Sequence, residues 1–104
     1  MESDIPAYTT LDRDVRPPIE QRRTIPPWTA LNRLVASSPP SGLLEILIDE
    51  TGAVIVAEMV KSITPSYDAA LLQAARTWRY LPARRAGMPV RYRQVLEIVV
   101  RPTQ

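Results

Sequence analysis

The chain has no cysteine and no histidine. The first absence excludes disulfides, Cys-ligated zinc and a thiol nucleophile. The second removes the commonest metal ligand and the commonest general base. Its three glycines are isolated from one another, so there is no glycine-rich phosphate loop. No apolar run approaches the roughly 18–20 residues that a bilayer span needs, and no signal peptide is visible. The acids Glu45, Asp49 and Glu50 lie close together but lack calcium-loop spacing. They read as a solvated strand face and a turn acid, not as an acid/base pair. Catalysis, a metal and a cofactor are therefore not expected.

What is present is proline, arginine and aliphatic residues. A length of 104 residues supports one domain, and an apolar content of 45% is that of a globular protein with a modest core. Most of the 11 prolines fall in the first 40 residues, so little regular structure is expected there. The net charge is only +2 although twelve residues are arginine, so overall charge gives weak support for a nucleic-acid partner.

Along the chain, residues 1–27 read as a Pro-rich arm or linker and residues 28–104 as the domain. "WTALNRLVA" (28–36) predicts a short helix after Pro27, with Trp28, Leu31, Leu34 and Val35 on one face. "SSPPSG" then makes a loop. "LLEILID" (43–49) alternates as a strand with Leu44, Ile46 and Ile48 on one side. Gly52 allows a tight turn, and "AVIVAEMVKS" (53–62) returns as the partner strand of a hairpin. The alternation of that second strand slips, and a bulge near Val56 reconciles its two phases. "TPSYDAALLQAARTW" predicts a helix from Pro65 to about residue 78, capped by Thr64 or Ser66, with Asp68 in its first turn. Its buried stripe is Tyr67, Leu71, Ala74, Ala75 and Trp78. "YLPARRAGMP" reads as a return loop and "VRYRQVLEIVV" (90–100) as the last strand. Val90, Tyr92, Leu96, Ile98 and Val100 share one face of it with Gln94. Arg91, Arg93, Val95, Glu97 and Val99 form the other. The expected fold is α+β, a three-stranded antiparallel sheet with two helices on one face.

The ordered set of motifs resembles the C-terminal domain of TonB, the periplasmic energy transducer. The set is Asp49, Gly52 and Val54 at the turn, then Tyr67, Asp68, Ala70, Leu71 and Leu72 in the helix. "WRYLPA" follows, with Trp78, Arg79, Tyr80, Pro82 and Ala83, and then "GMPV", with Gly87, Pro89 and Val90. The likeness covers about residues 42–101 and, more weakly, 15–41. The chain departs from the family's usual Tyr-Pro start of the first helix, where Trp28 and Thr29 stand after Pro26 and Pro27. Trp78, Arg79, Tyr80, Pro82, Gly87 and Pro89 are identified as fold-setting positions, not chemical ones.

The resemblance implies a non-enzymatic periplasmic domain of an inner-membrane-anchored protein, with the anchor outside this chain. It implies docking of an extended peptide, the TonB box of an outer-membrane transporter, beside the last strand. The side chains flanking that peptide would be Arg91, Arg93, Gln94, Val95, Glu97 and Val99. The alternative is an envelope scaffold or dimerisation module with a TonB- or TolA-like fold and no transporter partner, and a homodimer formed by strand exchange is compatible with either. A third reading takes Arg76, Arg79, Arg84, Arg85, Arg91 and Arg93, interleaved with Trp78, Tyr80 and Tyr92, as a nucleic-acid surface. It ranks lowest, because Trp78 and Tyr92 fall on inward faces, and no nucleic acid is expected as a partner.

Overall fold

The computed structural model describes residues 7–27 and 41–100. The helix expected over 28–36, with Trp28, lies outside them. The described residues form an α+β domain with mostly antiparallel strands and one helix. In chain order the elements are β1 (Val15–Arg16), β2 (Ile19–Arg22), β3 (Ser41–Ile48), β4 (Val54–Lys61), α1 (Pro65–Ala75), β5 (Arg79–Leu81), β6 (Ala83–Arg85), β7 (Met88–Val90) and β8 (Tyr92–Val99).

The main sheet has the order β4-β3-β8, with both pairings antiparallel. Its central strand places Leu44, Ile46 and Ile48 on one face, all fully buried. They pack with Tyr67, Leu71 and Ala75 of α1 and with Trp78, Ile98 and Val100. Burial of each such aliphatic side chain stabilises the fold by about 1.5–3 kcal/mol.

The β3–β4 hairpin is set at both ends. Asp49 accepts from the Thr51 and Ala53 amides through Oδ1, at 2.9 and 3.0 Å, and Gly52 takes a φ of 91°. The expected bulge is present. Leu47 faces Val56 but Ile48 faces Val54, so Ile55 is the extra residue. The slip brings Ala57 and Met59 onto the core side with Val54. A second slip, at Val60, lies between the pairs Leu43–Lys61 and Leu44–Met59.

Thr64, not Ser66, caps α1, and its side chain accepts from the Tyr67 amide. Asp68 accepts from the Ile63 amide at 2.9 Å and from the Ser62 hydroxyl. The helix ends at Ala75, three residues earlier than the sequence pattern predicts. The Thr77 and Trp78 amides bond back only three residues, to Ala74 and Ala75, and this tighter turn unwinds the helix. Trp78 still drops into the core beside the helical stripe, fully buried.

Further expectations are corrected. The front segment, expected to have little regular structure, contains two short strands. β1 pairs with β6 and β2 pairs with β5. The segment 80–89, expected as a loop, supplies the partners, because β6 and β7 form a hairpin whose turn residues Ala86 and Gly87 both have positive φ. The arm satisfies backbone groups that a loop of this length would otherwise leave to water. Two aromatic tips extend the attachment. Trp78 Nε1 donates to the Thr24 carbonyl at 2.8 Å, and the Tyr67 hydroxyl donates to that of Pro26. Val15 and Tyr8 join Ala83, Val90 and Tyr92 in a second small core. The last strand also begins later than expected. Val90 belongs to β7 opposite Ala83, and the chain passes between sheets at Arg91.

Candidate partner-docking edge

The main sheet has two edges, β4 and β8. The β4 edge is broken by two bulges and carries Glu58 and Lys61, features that discourage pairing with another strand. Near its start, the Tyr80 amide donates to the Gly52 carbonyl at 3.0 Å and Arg79 bridges to Ala53. The β8 edge is different. Its register against β3 runs without a shift from Ser41–Val99 to Ile48–Tyr92.

Which backbone groups face outward from β8 follows from one contact. The Tyr8 amide donates to the Arg91 carbonyl at 3.0 Å, and the Arg93 amide donates to the Tyr8 carbonyl at 2.7 Å, a parallel bridge on the far side from β3. Both groups of one strand residue point the same way, and successive residues alternate. Tyr92, Gln94, Leu96 and Ile98 therefore bond to β3, whereas Val95, Glu97 and Val99 aim their amides and carbonyls away from it. After Tyr8 the arm leaves the edge. The Asp12 amide bonds to the Thr9 carbonyl at 2.9 Å, and the Thr9 amide to the Asp12 carboxylate at 2.8 Å. Among the described residues, no strand pairs with β8 beyond Tyr92 on that side.

The six side chains proposed from the sequence to flank a partner occupy three environments. Arg91 precedes the strand and is ion-paired with Glu50 (3.3 Å), its side chain only 15% exposed. Arg93 is matched by Glu45 of β3 at 2.8 Å. Gln94 turns to the helix side, and its Oε1 is buried with no hydrogen-bond partner. Val95, Glu97 and Val99 stand together on the outer face, with the two valines 51% and 50% exposed. Glu97 makes no ion pair among the described residues. The fold-setting positions are dispersed. Trp78 and Tyr80 are buried at the junction with the arm, Arg79 opens β5 and Pro82 follows it, and Gly87 and Pro89 shape the β6–β7 hairpin.

The charge of this edge thus differs from what the sequence implies. The arginines at its start are neutralised by Glu50 and Glu45, and the acid Glu97 is the unmatched charge. Burial opposes ionisation of Asp49. Hydrogen bonds from the Thr51 hydroxyl and from the Ala53 and Thr51 amides, with the nearby Arg91 charge, outweigh it and hold the carboxyl below the usual carboxylate range. Sequence reasoning missed Tyr8, Glu45 and Glu50 as parts of this edge. Only the Thr9–Asp12 spacing at the turn carries a local signal for the arm's course.

Among the described residues, no three acidic side chains are grouped to hold a metal, and no helix is long and apolar enough to cross a membrane. The class these features define is a small α+β domain with a regular, partly unpaired edge strand. No protein-family model matches the chain, nor does any curated protein or solved structure in the comparisons made.

Proposed function

We propose that this chain is a non-enzymatic docking domain of the TonB C-terminal kind, which takes up an extended segment of a partner beside β8. By that resemblance the partner is an outer-membrane transporter, the segment its TonB box, the compartment the periplasm, and the purpose transmission of force for uptake. The observation that carries this reading is the run Val95, Glu97 and Val99, whose backbone groups face away from β3 on a strand with regular register. The bridge to Tyr8 supports it, since that edge already holds one extended residue in parallel orientation. An added strand gains backbone hydrogen bonds, and cross-strand side-chain pairs tune its choice by about 0.2–1 kcal/mol each. The outer face of β8 favours apolar residues beside Val95 and Val99 and a basic residue beside Glu97.

The test is a titration of the isotope-labelled protein with peptides from the N-terminal segments of outer-membrane transporters, followed by amide shifts. Saturating shifts centred on Val95, Glu97 and Val99 are expected. Binding whose shifts are confined to the β1-β6-β7 sheet or to α1 would refute edge docking. If these peptides fail while unrelated extended peptides bind at Val95–Val99, the docking reading stands and the transporter partner does not.

A further inference from the structure

Half of the arginines between residues 76 and 93 are neutralised in the fold. Arg85 is bonded to Asp14, Arg91 to Glu50 and Arg93 to Glu45. Among the described residues Arg76, Arg79 and Arg84 have no acid partner, and of these Arg84 lines a cleft. The Arg84 guanidinium donates to the Gly87 carbonyl at 3.1 Å. The arm adds another cation there: Arg16 of β1, which pairs with no acid among the described residues, stands directly opposite Arg84 of β6 in the strand register. Side chains so placed share one face of the sheet, and like charges directly opposite are destabilising. Asp14 is beside them, but Arg85 Nε holds its carboxylate at 2.7 Å, so that charge is neutralised within its own pair.

These groups line a cleft of about 330 Å³ formed by Asp14, Arg16, Arg84, Ala86 and Gly87. That volume is at the lower end of small-molecule sites. A Cβ built on Gly87 would meet nothing within 4 Å, so the turn is uncrowded on that side. Each guanidinium presents a planar fork of donors, which suits tetrahedral oxyanions better than an ammonium does.

We infer that this cleft binds a phosphoryl oxyanion between Arg16 and Arg84. The anion relieves the repulsion of the opposed pair and accepts from both forks, while the Gly87 carbonyl holds Arg84 in place. The source is either a soluble phosphate ester or the headgroup of an anionic lipid. The site lies on the β1-β6-β7 sheet, and its existence is independent of what docks on β8.

Titration with inorganic phosphate at constant ionic strength, read by the Arg Nε–Hε signals, tests the inference. Saturating shifts of Arg16 and Arg84 are expected, and the R16Q/R84Q variant should bind at least ~10-fold more weakly, as for loss of a charge-assisted hydrogen bond. R76Q, at the far end of α1, should bind like the parent. The Trp78 Nε1 and Tyr92 amide signals report whether each variant keeps its fold. If the double variant disturbs them, R84K replaces it, with weaker binding expected from loss of the fork alone. Sedimentation with phosphatidylglycerol vesicles, against phosphatidylcholine vesicles, separates the sources. Vesicle binding that needs both arginines, without saturation by free phosphate, assigns the lipid headgroup; the reverse assigns a soluble ester. Absence of both, or binding unchanged in R16Q/R84Q, overturns the inference.

Discussion

Gly52 and Gly87 both have positive φ, at 91° and 81°, yet their surroundings separate them. A Cβ on Gly52 would fall 1.8 Å from the Tyr80 carbonyl oxygen, whereas one on Gly87 meets open space. The left-handed conformation alone costs a non-glycine residue about 1–2 kcal/mol. Overpacking against backbone adds about 1–3 kcal/mol or more. Gly52→Ala should therefore lose about 2–5 kcal/mol, a large share of a small domain's stability, and Gly87→Ala about 1–2 kcal/mol. Denaturant midpoints of the two variants check the difference, and equal losses would show that the Gly52–Tyr80 approach is not tight. Trp78 illustrates a different limit. Its burial is legible from its place at the end of an apolar helical stripe. The acceptor of its ring N–H, Thr24, lies 54 positions away, and no local pattern encodes it.

At the scale of elements, what was legible followed from periodicity. The β3–β4 hairpin, its bulge near Val56 and the capped helix with Asp68 each rest on signals within a dozen residues. β1, β2, β5, β6 and β7 have two to four residues apiece, too few for alternation to register. Their pairing is non-local, so the arm's attachment to 79–90 leaves little trace in the sequence. The β8 edge was legible as a strand, but its starting point was not. Tyr8 claims the Arg91 carbonyl and the Arg93 amide, and the chain leaves no sign of this near residue 92. The alternation along β8 yields a sharp contrast. Proline at Glu97 removes an amide that faces away from β3; proline at Leu96 removes one that bonds to β3, where a central ladder tolerates it poorly. Glu97→Pro should retain cooperative unfolding and lose peptide docking, whereas Leu96→Pro should lose about 3 kcal/mol or more by analogy with other element interiors. Circular dichroism melts and peptide titration together check this. Docking retained in Glu97→Pro would place the partner elsewhere.

For the whole molecule, the missing histidine and cysteine leave the span between carboxylates and tyrosines without an ordinary side-chain titration. The acidic limb comes from Asp49 and Asp14, both held below the ordinary carboxylate value. Thr51 and Ala53 hold the first against its burial, and a hydrogen bond from Arg85 holds the second. A lowered folded pKa contributes stability above the unfolded value near 4, lost as pH falls through the folded value. Asp14 is exposed and adds little. The basic limb comes from Tyr67, Tyr80 and Tyr92, whose hydroxyls burial pushes up. Stability from a raised pKa is fully present below about pH 10 and lost as pH rises through the folded values. Unfolding free energy should thus be nearly flat from about pH 5 to 9 and fall on both sides; a transition near pH 6.5 would contradict this assignment.

The central claim is that β8 offers an unpaired edge from Val95 onward, and amide hydrogen exchange on this strand tests it most directly. Without a partner, the Gln94, Leu96 and Ile98 amides should be protected by β3 and that of Arg93 by Tyr8, while Val95, Glu97 and Val99 exchange readily. A docked peptide should slow those three selectively. Uniform protection along the strand in the free protein, or a bound peptide that leaves Val95, Glu97 and Val99 exchanging as before, would contradict it.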